Sequence, residues 1–300
     1  MGVRFAKTRV VRVRNRGLFV FPSHKWAGNI ETAKGKTMPR SGMKRFTVAF
    51  ILCLAFSSSL VDAAERVTIK DMGVQKNMKA EFTLPDGNGP FPAVIVLHTS
   101  GGASGAESDY SERLAKIGYA SLIPHYFEAH GISHSNRESA LTGHAEEILA
   151  DLSAALEWLK KNPRIDKDKI GAVGFSMGGY WAMVLAAQGK VQAGVSYYGV
   201  LSGVGGNREK MRYKFREIFN EKSSPVLILH GSYDTTQKVD GANRLSDILD
   251  EKKVPYEKKI YPYAGHEFER FRGYKPDAAQ DSWERTVHFL EKYLLRNDHP

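Results

Sequence analysis

Three hundred residues with 42% apolar and 25% charged side chains can bury one large core, and the composition carries neither a collagen-like repeat nor the signature of disorder. The formal charge of +10 would suit a nucleic acid or an anionic membrane, but residues 1–63 hold 12 of the 43 Lys/Arg and 2 of the 33 acids, which leaves 31 of each sign beyond them. A neutral body without zinc-ligand spacing or aromatics interleaved with a basic stripe excludes nucleic-acid binding as its main role.

Residues 1–42 are basic, show no apolar period, and precede a second start at Met43; they read as a non-native or unstructured extension. From Met43 the chain runs Met-Lys-Arg, then without charge from Phe46 to Val61, then Asp62-Ala63-Ala64. A basic pair, a short apolar stretch and small residues at a cleavage point make a signal peptide over 43–64, cut after Ala63 or Ala64, and so a secreted or periplasmic protein. The stretch includes Thr47 and three serines and falls short of the roughly 20 apolar residues of a spanning helix, so no stable membrane span is expected after processing. Cys53, the single cysteine, lies inside this leader, which leaves the mature chain without a disulfide or a thiol nucleophile.

From Glu65 short β-branched or apolar runs alternate with longer amphipathic ones, the pattern of one α/β domain over 65–300 with a mostly parallel central sheet flanked by helices. Strands are predicted at 67–70, 78–84, 93–97, 120–123, 170–175, 193–198, 226–230 and 256–261. Helices are predicted at 108–117, 138–161, 177–188, 208–220, 241–251 and 278–295. The segment 124–142, rich in His, Ser and Gly, is expected to form a loop over a site.

The sharpest chemical signal is Gly174-Phe175-Ser176-Met177-Gly178-Gly179, set between an apolar strand and a helical run. A serine lifted onto a tight strand-to-helix turn needs glycines two residues to either side, because side chains there would strike neighbouring backbone. The turn also places Ser176 at a helix N-terminus, where the Met177 N–H can meet a developing oxyanion. A serine hydroxyl needs a base, and in this arrangement the acid and then the histidine follow the nucleophile along the chain. Asp234 follows the strand 226–230, and His266 follows the strand 256–261 within Ala264-Gly265-His266. The expected catalytic set is Ser176, Asp234 and His266, with Asp240 as the alternative acid and His230 as the alternative base. His98-Thr99-Ser100-Gly101-Gly102 supplies the second oxyanion donor, Thr99 first and Ser100 next. His125, His130, His134 and His144 fit no compact ligand spacing, so no metal is expected. Tyr126, His134, Tyr198 and Phe268 are taken as substrate-binding residues.

These residues resemble the dienelactone hydrolase family of the α/β-hydrolase fold over essentially all of Glu65 to Leu295. The resemblance rests on Leu84-Pro85, on Gly89 through His98, on Leu114 through Ala120, on the elbow, on Gly231 with Asp234, and on Gly265-His266. It implies hydrolysis of small-molecule esters or lactones through an acyl-enzyme without a cofactor. The family's type enzymes carry a cysteine in the elbow where this chain has Ser176, and a glutamate where it has Thr99-Ser100. After Asp234 the usual two-residue spacing to a valine is lengthened to Val239. A serine carboxylesterase-like activity is therefore expected rather than cleavage of dienelactone itself. A peptidase or acyltransferase on the same three residues, and a non-catalytic binding protein of the same fold, are the alternatives.

Overall fold

The computed structural model describes residues 64–70, 74, 77–199, 201, 210–270 and 273–295. The extension 1–42 and the leader up to residue 63 lie outside them. Among the described residues no helix is long and apolar enough to cross a membrane.

Eight strands form one sheet: β1 Glu65–Lys70, β2 Asn77–Thr83, β3 Phe91–Leu97, β4 Ala120–Pro124, β5 Ile165–Phe175, β6 Ala193–Tyr197, β7 Val226–Gly231 and β8 Tyr256–Tyr261. Their order is β1-β2-β4-β3-β5-β6-β7-β8. β1 pairs antiparallel with β2, and β2 antiparallel with β4; from β4 to β8 every pairing is parallel. The inner parallel strands β3, β4, β6 and β7 and the second half of β5 read as largely apolar runs because both of their faces are covered, whereas the edge strand β8 does not. In β3, Ala93, Ile95 and Leu97 enter one core, whereas Val94 and Val96 enter the other. Helices α2 (Ala145–Lys161), α3 (Met177–Ala187) and α5 (Asp240–Lys252) cover the first face, and α1 (Gly105–Lys116) and α6 (Pro276–Leu290) the second.

Helix α3 is buried on every side, which accounts for its lack of a polar stripe. Helix α1 starts three residues ahead of the sequence reading because Ser104 and Glu107 form a reciprocal capping box. Two predicted helices are corrected. The run 138–161 is divided into a 3-10 turn, Arg137–Leu141, and α2, with His144 at the N-cap. The described part of 208–220 holds only the short α4, Phe215–Ile218. There the backbone finds tertiary partners in place of helical ones: Arg212 N donates to the Leu141 carbonyl, Tyr213 N to the Tyr180 hydroxyl, and that hydroxyl donates to the Tyr213 carbonyl.

The parallel half of the sheet sets where chemistry can occur. β3, β5, β7 and β8 all run the same way, so the loops that leave their carboxyl ends gather along one rim.

Candidate active site

Ser176 joins β5 to α3 with φ 53° and ψ −110°, a backbone conformation that L-residues rarely adopt. Contacts on both sides impose it. A Cβ on Gly174 would stand 2.0 Å from the Gly178 carbonyl oxygen, and one on Gly178 would stand 2.0 Å from that of Leu97. The Ser176 N–H is held by the Tyr197 carbonyl at 3.0 Å. The serine is 7% exposed, so its hydroxyl sits at the floor of the rim rather than on an open surface.

His266, five residues beyond β8, places Nε2 3.1 Å from Ser176 Oγ, and its Nδ1 lies 2.7 Å from Oδ2 of Asp234. Asp234 is three residues beyond β7 and 5% exposed, and its other oxygen, Oδ1, accepts from the N–H groups of Thr236 at 2.9 Å and Gln237 at 2.7 Å. Each oxygen of this buried carboxylate thus has a defined partner. The structure brings together the three residues expected as a set, although they are separated by 90 positions at the widest.

Neither alternative occupies the same place. Asp240 is exposed at the first turn of α5. His230 is buried, donates from Nε2 to the Gln237 carbonyl at 2.7 Å, and approaches Asp234 Oδ2 only to 3.4 Å. Desolvation lowers the His230 pKa, which keeps the ring neutral behind the acid.

Met177 is the first residue of α3, so its N–H has no acceptor one turn earlier in the helix. Gly178 packs against the backbone of Leu97 and His98, which brings the loop after β3 beside the helix start. That loop is a tight turn: the Thr99 carbonyl accepts from Gly102 N at 3.2 Å and from His98 Nδ1 at 2.7 Å, and Thr99 Oγ1 accepts from Gly101 N at 3.1 Å. Thr99 and Ser100 are half-buried. Burial lowers His98 to about 4, so this ring is a neutral strut that stacks on Tyr126 at 3.9 Å between centroids.

The residues expected to bind substrate have different surroundings. Tyr126 is fully buried with its hydroxyl donating to the His98 carbonyl at 2.8 Å, and Phe268 is fully buried among Tyr197, Tyr198 and Tyr261. Both are core residues with no surface to offer a ligand. His134 is exposed and bound by Arg137 Nη1, and no contact with Ser176, Asp234 or His266 occurs among the described residues. Tyr198 is also fully buried, but its ring stands edge-on to His266 at 4.6 Å, where it braces the imidazole.

Sequence reasoning missed what stands behind Tyr198. Its hydroxyl donates to Oε1 of Glu269, Arg270 Nε lies 3.0 Å from that same oxygen, and Arg270 Nη1 donates to the buried Glu107 at 2.9 Å. Burial raises the Glu269 carboxyl to about 7 against the pull of Arg270. The one available signal was Glu269-Arg270 three residues beyond His266, in a stretch whose neighbours are aromatic. Sequence spacing also did not reveal that one donor atom from each of His130, His144 and Glu147 lies within 4.8 Å of the others.

A serine on a strand-to-helix elbow, an imidazole and a buried carboxylate on successive strand ends of a mostly parallel sheet define an α/β hydrolase. A model of the dienelactone hydrolase family matches residues 78–294, and the chain belongs to that family; it is a hydrolase acting on ester bonds. The chain is 29% identical over 220 residues to a "Putative carboxymethylenebutenolidase" of Methylorubrum extorquens, covering 70% of this chain and 75% of that one. It is 28% identical over 225 residues to a "Probable 2-oxo-3-(5-oxofuran-2-ylidene)propanoate lactonase" of a Bradyrhizobium species, covering 72% and 89%. Among solved structures, a "Putative Dienelactone Hydrolase" of Klebsiella pneumoniae superposes with a TM-score of 0.66 at 25% identity over 77% of this chain and 98% of the other.

Proposed function

We propose that this chain is an exported serine hydrolase that cleaves carboxylic esters or lactones through an acyl-enzyme on Ser176, with His266 as base and Asp234 as the acid that orients it. The observation that supports this reading is the unbroken hydrogen-bond chain from Ser176 Oγ through the two ring nitrogens of His266 to the buried Asp234.

As Oγ attacks the substrate carbonyl carbon, Nε2 of His266 takes its proton, and the imidazolium so formed is stabilised by the carboxylate on Nδ1. The carbonyl oxygen becomes an oxyanion that accepts from the Met177 N–H and from the turn at Thr99 or Ser100. Collapse of this adduct breaks the bond to the alcohol oxygen, which leaves with the proton from Nε2. Water then attacks the acyl carbon, gives its proton to the same nitrogen, and releases the acid and the serine. For a lactone, the alcohol stays tethered to the acyl group through both halves of the cycle. The relatives named as lactonase and butenolidase favour such cyclic esters.

Fluorophosphonate labelling and turnover of short p-nitrophenyl esters should both disappear on Ser176→Ala. Persistent labelling of that variant would remove Ser176 from the nucleophile's role. Export rests on the leader at 43–64: the chain recovered from a periplasmic fraction is expected to begin at Ala64 or Glu65, and a mature chain that still carries Met43 would contradict it.

A further inference from the structure

Helix α2 opens beside a group of ionisable side chains that the hydrolytic site does not use. His144 stands at the N-cap position, Glu147 lies on the first turn and Asp151 one turn further on, so the three share a face. His130, at the end of the short 3-10 turn Glu128–His130 that follows β4, reaches over to that face. Its Nε2 lies 2.7 Å from Oδ2 of Asp151, a fully buried carboxylate whose Oδ1 accepts from Val74 N at 2.7 Å. Its Nδ1, on the opposite edge of the ring, lies 3.3 Å from Oε2 of Glu147, and His144 Nδ1 lies 2.6 Å from the same oxygen.

The proton inventory of this cluster is informative. Asp151 can only accept, so it holds a hydrogen of His130 on Nε2 and turns Nδ1 toward Glu147. His130 Nδ1, His144 Nδ1 and Glu147 Oε2 thus converge within 4.8 Å of one another, where either a ring proton or a metal ion can join the imidazoles to the carboxylate. We propose that His130, His144 and Glu147 form a binding site for one divalent transition-metal ion of the zinc class, with Asp151 as the carboxylate that orients His130. Two imidazoles and one carboxylate with room for a further ligand make a donor set that zinc takes readily, whereas calcium and magnesium require mostly oxygen.

Distances are consistent with this. In a tetrahedral site with metal–ligand bonds of about 2.0 to 2.1 Å, neighbouring donor atoms stand about 3.3 Å apart. The His130–Glu147 pair already has that separation, and the His144–Glu147 pair would open by about 0.7 Å. The side chains of His144 and Glu147 are 37% and 44% exposed, so they can make that adjustment without disturbing the core. No hydrogen bond joins the cluster to Ser176, Asp234 or His266 among the described residues. The ion would therefore clip the segment after β4 to the start of α2, and would not polarise the ester.

The test uses the mature chain after chelator treatment, titrated with Zn2+ by calorimetry and with Co2+ by visible absorption. One equivalent should bind with low-micromolar or tighter affinity, with the absorption of four-coordinate Co2+ and a rise in melting temperature on adding Zn2+. Glu147→Gln and His144→Ala should each abolish that binding, and Asp151→Asn, which leaves all three ligands in place, should weaken it by about 10- to 100-fold. Ester turnover and circular dichroism of the His144 and Glu147 variants should match the wild type, which shows that they fold. Failure of the wild type to bind Zn2+ saturably would mean that a proton holds the cluster together, and would overturn the proposal. Binding that survives in the His144→Ala/Glu147→Gln double variant would overturn it too.

Discussion

Replacing Asp234 by asparagine probes the base and its orienter without emptying the site. The Oδ1 side of residue 234 accepts two backbone N–H groups, from Thr236 and Gln237, and the Oδ2 side meets His266 Nδ1. Asparagine keeps the two backbone bonds only by turning its carbonyl oxygen toward them, which aims its NH2 group at Nδ1. The imidazole must then carry its hydrogen on Nε2 and point it at Ser176, so it cannot take the serine proton; the wrong tautomer costs about 10⁴ in turnover in a triad of this kind. The amide could instead flip, restoring the tautomer but setting donors against the Thr236 and Gln237 N–H groups. Two lost buried bonds at about 1–3 kcal/mol each come to about 2–6 kcal/mol. At about 1.4 kcal/mol per tenfold, either outcome lowers kcat/KM by about 30-fold to 10⁴-fold. p-Nitrophenyl acetate hydrolysis, corrected for the folded fraction by circular dichroism, measures the drop. Activity within about tenfold of the wild type in a folded Asp234→Asn protein would refute the assignment of both the acid and the tautomer.

The packing of the elbow makes a second prediction, because a Cβ on Gly178 meets only backbone, at 2.0 Å from Leu97 O and 2.7 Å from His98 O. Gly178→Ala should lower the urea-unfolding free energy by at least about 3 kcal/mol. Gly105→Ala, with nothing within 4 Å, should stay within about 1 kcal/mol of the wild type, and equal costs for the two would contradict the packing argument. For pH dependence, His98 titrates near 4 in the folded chain and near 6.5 unfolded. Between those values the unfolded state binds more protons, so this contribution to stability is complete above pH 6.5, falls as pH drops below it, and levels off below about 4, for a total of about 3 kcal/mol. Asn can still donate to the Thr99 carbonyl, so the wild-type minus His98→Asn stability difference should show that slope; a flat difference between pH 6.5 and 4 would show that His98 is not buried neutral.

The inner parallel strands were legible because burial on both faces leaves each a short apolar run, and β1, β2 and β8 because apolar or aromatic side chains recur among their charged ones; the observed ends fall close to the predicted ones for seven of the eight. β5 is the exception. It begins at Ile165, ahead of the charged Asp166 to Lys169, where Ile165 pairs with Phe91 across an irregularity in the register. Hydropathy cannot see a strand that is held there by backbone pairing. Ser176 and Asp234 were legible because each sits just past an apolar run, and His266 because it follows the last strand in the expected chain order. Glu107 and Arg270 meet across 163 positions, and His130 lies 21 positions from Asp151. Both groupings depend on how helices settle on the sheet, and no spacing rule carries that. Helix 208–220 failed for a related reason: Met211, Phe215 and Ile218 recur at helical spacing, but the Tyr180 hydroxyl and the Leu141 carbonyl satisfy the backbone at Arg212 and Tyr213.

The backbone angle at Ser176 has a consequence for anyone who evolves this molecule in the laboratory. A side chain held at φ 53° costs about 1–3 kcal/mol that glycine would not incur, so heat resistance and ester cleavage pull against each other at this one position. A library screened for thermal survival alone would drift toward glycine at 176 and yield durable, inert proteins. Selection has to score turnover in the same round.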